Sequence, residues 1–148
     1  MLFDTCTSNR RRRELDVALF ADCTNRELRR IDALSTVITK EAGHILCRRG
    51  DIGRECFVLL DGQVDVETSG QHYTVDAGAP LGEIALLITN GRRSATLTAR
   101  TDVTLLVFSR AEFTELMQGF PIVAHKILNE ATRRLLENVD ARSAPKAP

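Results

Sequence analysis

With 148 residues the chain has room for one domain with a substantial core and not for two ordinary enzyme domains. Hydrophobic residues make up 43% and charged residues 27%, with 9 glycines and 4 prolines, which excludes a disordered or collagen-like chain. Lysine plus arginine equals aspartate plus glutamate at 20 each, so no bulk charge draws the chain to nucleic acid or to an anionic surface.

The chain opens on MLFDTCTSNRRRRE, where the basic run Arg10 to Arg13 follows a short apolar start. That order is the reverse of a secretory signal, and no apolar stretch approaches about 18 residues, so the expectation is a cytoplasmic protein without a membrane segment. Residues 1–13 are read as an extension. Arg10 to Leu19 predicts a short helix with Leu15, Ala18 and Leu19 on one side. The next signal is sharper: Thr24 stands as N-cap with Glu27 three residues on, and Cys23 and Leu28 occupy the staple positions around them. Leu28, Ile31 and Leu34 then recur every third residue, predicting an amphipathic helix that ends before the β-branched segment Thr36 to Thr39.

From Val37 to Phe108 the texture changes to short apolar runs punctuated by glycine. Candidate strands are VITKE, HILCRR, CFVLLDG, QVDVET, QHYTVDA, SATLTAR and VTLLVF. Val64 and Val66 alternate with polar neighbours, as do Ala95, Leu97 and Ala99. Strands at this spacing, with no helix long enough to cross between parallel strands, predict an antiparallel sandwich or barrel.

Helical periodicity returns at Ser109, again an N-cap with its glutamate at Glu112 and with Phe108 and Phe113 as the staple. Gly119 interrupts that helix and Pro121 opens another, predicted over residues 121–139. Residues 140–148 read as a flexible tail. Ala124, Leu128, Ala131 and Leu135 form a heptad-like stripe on this last helix, broadened by Ile127 and Leu136. It points either to packing on the chain's own strands or to a homodimer through residues 121–139.

One stretch inside the β block does not behave as a strand. In DAGAPLGEIALLITNGRRSATLTA the glycines and Pro80 force turns, Glu83 to Leu87 is a single helical turn, and a strand restarts at Ser94. A lone helical turn leaves its first N–H groups without intrahelical partners. Those groups can bind an anion, Gly82 lets it approach closely, and Arg93 adds a planar charged fork. Ser94 supplies a hydroxyl. Glu83 would repel a phosphate, but it fits a ligand that carries a sugar hydroxyl beside the phosphate. The alternative is that these glycines are ordinary turns and that Arg92 and Arg93 are solvated charges. Cys6, Cys23, Cys47 and Cys56 form no CxxC pair and the 3 histidines are isolated, so no metal site or cofactor is expected.

The arrangement G-E-I-A-L-L followed by R-S-A-T-L resembles the phosphate-binding cassette of cyclic-nucleotide-binding domains, the module of bacterial catabolite activator protein and of the regulatory subunits of cyclic-AMP-dependent kinase. AGHILCRRGDIGRECFVLLDGQVDV and ALFADCTNRELRRI resemble the family's strand pattern and leading helices, so the likeness covers roughly residues 14 to 137. It implies a mainly β, antiparallel eight-stranded jelly roll, or double-stranded β-helix, flanked by N-terminal helices and two C-terminal helices, in one domain over 14–139. It implies that Glu83 accepts from a ribose 2′-hydroxyl with Gly82 beside it, and that Ile84 and Ala85 offer backbone N–H groups to a cyclic phosphate. Arg93, rather than Arg92, is the phosphate arginine by this likeness, and Ser94 the adjacent hydroxyl position. Val75 and Leu81 are apolar contacts to sugar or base, and Thr132, or Arg133, reaches the adenine from the last helix. The Ser94 likeness favours cyclic AMP over cyclic GMP. Gly78-Ala79-Pro80-Leu81 departs from the family's usual Gly-Asp-x-Phe lead-in without removing a ligand group.

The resemblance therefore implies a regulatory sensor rather than an enzyme, with a cyclic nucleotide as ligand and its state passed to the C-terminal helix, a homodimer or an unidentified effector protein. The last helix is followed by too few residues for a helix-turn-helix domain, and direct DNA binding is not expected. The competing reading keeps the fold as a nucleotide-independent interaction scaffold. A metal hydrolase of the related barrel type lacks clustered His and Glu ligands on these strands.

Overall fold

A computed structural model describes Leu15 and residues 17–87 and 91–143, with side chains as far as Glu137. The basic run Arg10 to Arg13, Asn90 and residues 144–148 lie outside the described residues. Of the helix expected over Arg10 to Leu19, the described part is a 3-10 turn, Ala18–Phe20.

Helix α1 (Asn25–Leu34) begins where its capping box puts it: Thr24 Oγ1 accepts from the Glu27 N–H at 3.1 Å, and the Glu27 carboxylate accepts from the Thr24 N–H at 2.9 Å. The same reciprocal pair, Ser109 with Glu112, starts α3 (Arg110–Gly119). Both helices start at these positions because two orphan N–H donors are satisfied locally, by partners three residues away. Pro121 opens α4 (Pro121–Ser143), which runs on past Val139 to Ser143, so residues 140–143 continue the helix rather than begin a tail.

Between these helices lie eight strands: β1 (Thr36–Lys40), β2 (Ile45–Cys47), β3 (Glu55–Asp61), β4 (Gln63–Glu67), β5 (His72–Asp76), β6 (Pro80–Leu81), β7 (Thr96–Ala99) and β8 (Val103–Ser109). They form two four-stranded antiparallel sheets, ordered β1-β8-β3-β6 and β2-β7-β4-β5, the jelly roll that the resemblance implies. β6 is an addition to the strands legible in the sequence. It is short, contains a proline and sits at a sheet edge, pairing Leu81 with Phe57 and Pro80 with Val58.

The unbroken apolar run of β3 follows from its having two buried faces. Phe57 and Leu59 pack between the sheets with Val64, Leu97 and Leu105, while Cys56, Val58 and Leu60 turn outward onto a second cluster. That second cluster is made by the helices: Ile31 from α1, Phe113 and Leu116 from α3, and Val123 and Ile127 from α4. β8 is divided in the same way, Leu105 inward and Leu106 and Phe108 toward the helices. The C-terminal helices are thereby fastened to the outer face of one sheet. Among the described residues no helix is long and apolar enough to cross a membrane.

Candidate functional site

The segment that was out of register with a strand is helix α2 (Glu83–Leu87), one turn held between β6 and β7. Gly82 leads into it with φ +76°, a conformation that favours glycine, and a Cβ there would displace Arg93 Nη1. The glycine lets the arginine lie against the backbone. Arg93 Nη1 donates to the Gly82 carbonyl at 3.1 Å and Nη2 to the Glu55 carbonyl at 2.8 Å, and the guanidinium carbon sits 5.6 Å from the centre of the Phe57 ring. Arg93 is only 6% exposed. A guanidinium has five N–H donors, so these two bonds leave the fork with capacity for an anion.

The backbone that carries Arg93 is held just as closely. Its N–H donates to the Asp51 carbonyl at 2.7 Å and its carbonyl accepts from Gly50 at 2.9 Å, while Gly53 donates to the Gly91 carbonyl at 2.5 Å. A Cβ on Gly53 would strike that of Ala85, so the turn 50–53 fits directly behind α2. Arg92, by contrast, is exposed and donates to the Gly50 carbonyl at 2.8 Å.

Glu83 is fully buried, and a buried carboxylate demands a partner. Its partner is Arg134 of α4, whose Nη1 donates to Oε1 at 2.8 Å and to Oε2 at 3.0 Å. Burial pushes the Glu83 carboxyl above its ordinary range, and the Arg134 guanidinium pulls it back down. Arg134 is itself 8% exposed, and its buried Nε lies 3.2 Å from Glu130 Oε1 without making a hydrogen bond.

These groups surround one pocket. Of the residues singled out in the sequence, Leu81, Gly82, Glu83, Ile84, Ala85, Arg93 and Ser94 line it. Two of the expected residues do not. Val75 is buried in the core between the sheets, one pleat beyond Tyr73 on the same strand face. Thr132 is exposed, with its hydroxyl donating to the Leu128 carbonyl at 2.8 Å, and Arg133 is taken up by Glu130 and Glu137 on the solvent side of the helix. The residue that α4 sends into the pocket is Arg134. Ala124, Ile127 and Ala131 are buried along one side of α4, and Arg134 follows at the next spacing of three, a cation on an inward face.

The pocket floor is set by strand register. Cys47 pairs with Leu97, Leu97 with Val66, and Val66 with Tyr73, so these four side chains form a row across β2, β7, β4 and β5. Directly opposed residues share a sheet face, and all four line the pocket. At roughly 4.8 Å between strands the row is about 14 Å long. Burial pushes the Cys47 thiol and the Tyr73 phenol upward, so both stay uncharged. The arrangement offers cation and turn N–H groups at one end, a carboxylate beside them, and an apolar floor leading away, a set that can take an anionic group next to a hydroxyl and an apolar surface.

Comparison with known proteins agrees with this chemistry. The profile of the family described as "Cyclic nucleotide-binding domain" matches residues 37–120. A cyclic nucleotide-gated potassium channel of Rhizobium etli is 37% identical over 93 residues, 63% of this chain, and the chain spans only 26% of that channel's length. The structure of catabolite activator protein from Thermus thermophilus superposes with a TM-score of 0.68 at 28% identity, covering 81% of this chain and 59% of that one. A PKAR CBD2 bound to Sp-2Cl-cAMPS superposes with a TM-score of 0.72 at 22% identity over 88% of this chain and 92% of that one, a likeness of fold. The matched family is a ligand-binding domain and not an enzyme. Fold, pocket chemistry and profile converge, and the chain belongs to the cyclic nucleotide-binding domain family.

Proposed function

We propose that the chain is a sensor that binds cyclic AMP in preference to cyclic GMP and passes its ligand state to α4. The observation that carries this is the meeting of Gly82, Glu83 and Arg93 with Arg134 of α4 around one pocket. The cyclic phosphate lies against Arg93 and the N–H groups of Ile84 and Ala85, with Ser94 beside it. The ribose 2′-hydroxyl donates to Glu83, and the purine extends along the Cys47–Leu97–Val66–Tyr73 row. An ionised carboxylate offers about four acceptor sites, and Arg134 uses one on each oxygen, so Glu83 can hold the ligand and the helix together.

That shared carboxylate is the route to output. A ligand shifts an equilibrium only through contacts that differ between its states, and a 2′-hydroxyl on Glu83 changes what Arg134 meets. α4 also presents Leu128, Leu135 and Leu136, which are 47%, 40% and 61% exposed, and the partner assigned to that face is a second copy of the chain.

The test is calorimetric titration with cyclic AMP, cyclic GMP and 5′-AMP, repeated for Arg93→Ala and Arg92→Ala. Removing the buried fork should weaken cyclic AMP by about 1.5 to 3 kcal/mol, one to two decades, while the exposed neighbour changes little. Equal losses at both arginines would overturn the phosphate assignment. A folded protein that responds to no nucleotide would leave the scaffold reading instead.

A further inference from the structure

Arg110 is the first residue of α3, where the helix dipole and the unpaired N–H groups disfavour a cation. The structure shows where its charge goes instead. Arg110 Nη2 leaves the helix and donates to the Gly53 carbonyl at 2.9 Å, and the backbone N–H of Arg110 donates to the Arg54 carbonyl at 3.1 Å. The same Nη2 lies 3.1 Å from the place a Cβ on Gly91 would occupy, so the guanidinium is seated against the loop that precedes Arg93.

The turn that Arg110 clasps is the one that holds Arg93. Gly50 and Asp51 pair with the Arg93 backbone, Gly53 donates to Gly91, and Glu55 accepts from the Arg93 fork. From the start of α3 hydrogen bonds therefore reach the 50–53 turn through Gly53, and that turn also bonds Gly91 and both the N–H and the carbonyl of Arg93. α3 continues through Phe120 directly into α4.

Resting on the cyclic-nucleotide reading above, we propose that Arg110 is a positioning residue for Arg93: by clasping the 50–53 turn to α3 it fixes the phosphate arginine and ties nucleotide occupancy to the C-terminal helices. It acts through the Gly53 carbonyl and does not touch the ligand. Because a cation at a helix start is unfavourable for the helix, Arg110→Ala should leave α3 as stable as before or more so. A loss of affinity in that variant then reports on the turn and not on the helix.

The experiment is titration of the full chain with cyclic AMP in four proteins, wild type, Arg110→Ala, Arg93→Ala and the double variant, with Arg110→Lys as the rescue and urea midpoints as the check on folding. Arg110→Ala should weaken cyclic AMP roughly fivefold to tenfold with an unchanged midpoint. Arg110→Lys should recover part of that loss, since an ammonium can still donate to the Gly53 carbonyl. In the Arg93→Ala background, where the α2 N–H groups and Glu83 still bind, Arg110→Ala should change affinity by less than about twofold. The same loss in both backgrounds, a lysine variant no better than alanine, or no loss at all overturns the proposal. Wild-type affinity in Arg93→Ala alone would instead overturn the phosphate assignment on which it rests, so the two failures are told apart.

Discussion

Replacing Arg134 by Met keeps most of the side chain's volume while leaving the Glu83 carboxylate, fully buried, without the cation that now meets both of its oxygens at 2.8 and 3.0 Å. Breaking a buried pair from one side costs about 3 to 5 kcal/mol. Glu83 can relieve part of this by taking up a proton, so about 3 kcal/mol at pH 7 is the expected loss. With a urea m-value of about 2 kcal/mol/M the unfolding midpoint should fall by about 1.5 M. Glu83→Gln combined with Arg134→Met removes both charges and should lie within about 1 kcal/mol of wild type, because the attraction of a buried pair is largely offset by its desolvation.

The pH dependence follows from the direction of the Glu83 shift. Its folded carboxyl sits above the ordinary value of 4.5, so at pH values between the unfolded and the folded one the folded chain holds a proton that the unfolded chain has released. The stability this group contributes is complete below its unfolded value and is lost as pH rises through the folded one. Removing Arg134 removes the charge that pulls the carboxyl down, which widens the window. The Arg134→Met penalty should therefore shrink between pH 7 and pH 5 in urea melts of the two proteins. A penalty below about 1 kcal/mol at pH 7, one that does not shrink, or a double variant as unstable as the single would show that Arg134 does not hold the buried Glu83 charge.

Gly82→Ala places a Cβ on Arg93 Nη1 at a φ of +76°, whereas Gly43→Ala, at φ +91°, meets nothing within 4 Å. Both should lose about 1 kcal/mol to backbone strain in urea melts, but Gly82→Ala alone should lose cyclic AMP affinity by titration. Glu83→Gln should weaken cyclic AMP and barely affect 2′-deoxy cyclic AMP, which has no hydroxyl to donate; equal losses would give Glu83 a structural role only. Leu128→Lys with Leu135→Lys, at positions 47% and 40% exposed, should leave the monomer folded. If a second copy covers α4, the pair of changes should convert a dimer to a monomer in sedimentation and alter nucleotide affinity with it. A wild-type protein that stays monomeric at about 100 μM with and without cyclic AMP would remove the dimer from the mechanism.

Two kinds of information produced this site. Signals that act over three or four residues were legible directly: both capping boxes, the proline that opens α4, and the Gly82-Glu83 turn followed by Arg93-Ser94 all appear where their spacing places them. They are legible because the partners are neighbours in the chain, and the same hydrogen bonds form whatever the rest of the molecule does. The unbroken apolar run of β3 was legible as a strand, but its division between two cores was not, since either face can be buried only by elements distant in sequence.

The partner of Glu83 required the fold. On α4, Thr132, Arg133 and Arg134 are successive residues about 100° apart around the axis, and each is polar. Which one meets the cassette depends on the helix's rotation, set by Ala124, Ile127 and Ala131 packing toward the strands. That rotation turns Thr132 and Arg133 to solvent and puts Arg134 on Glu83, 51 residues away along the chain. Tyr73 and Cys47 became pocket residues in the same way: strand register aligned them with Val66 and Leu97, and register is decided by which pairings bury the inner face. The end of the site formed by residues 82–94 was thus determined by local sequence, because one short segment contains nearly all of it. The contact to α4 and the pocket floor were decided by tertiary structure, because each depends on the relative placement of elements that no local spacing records.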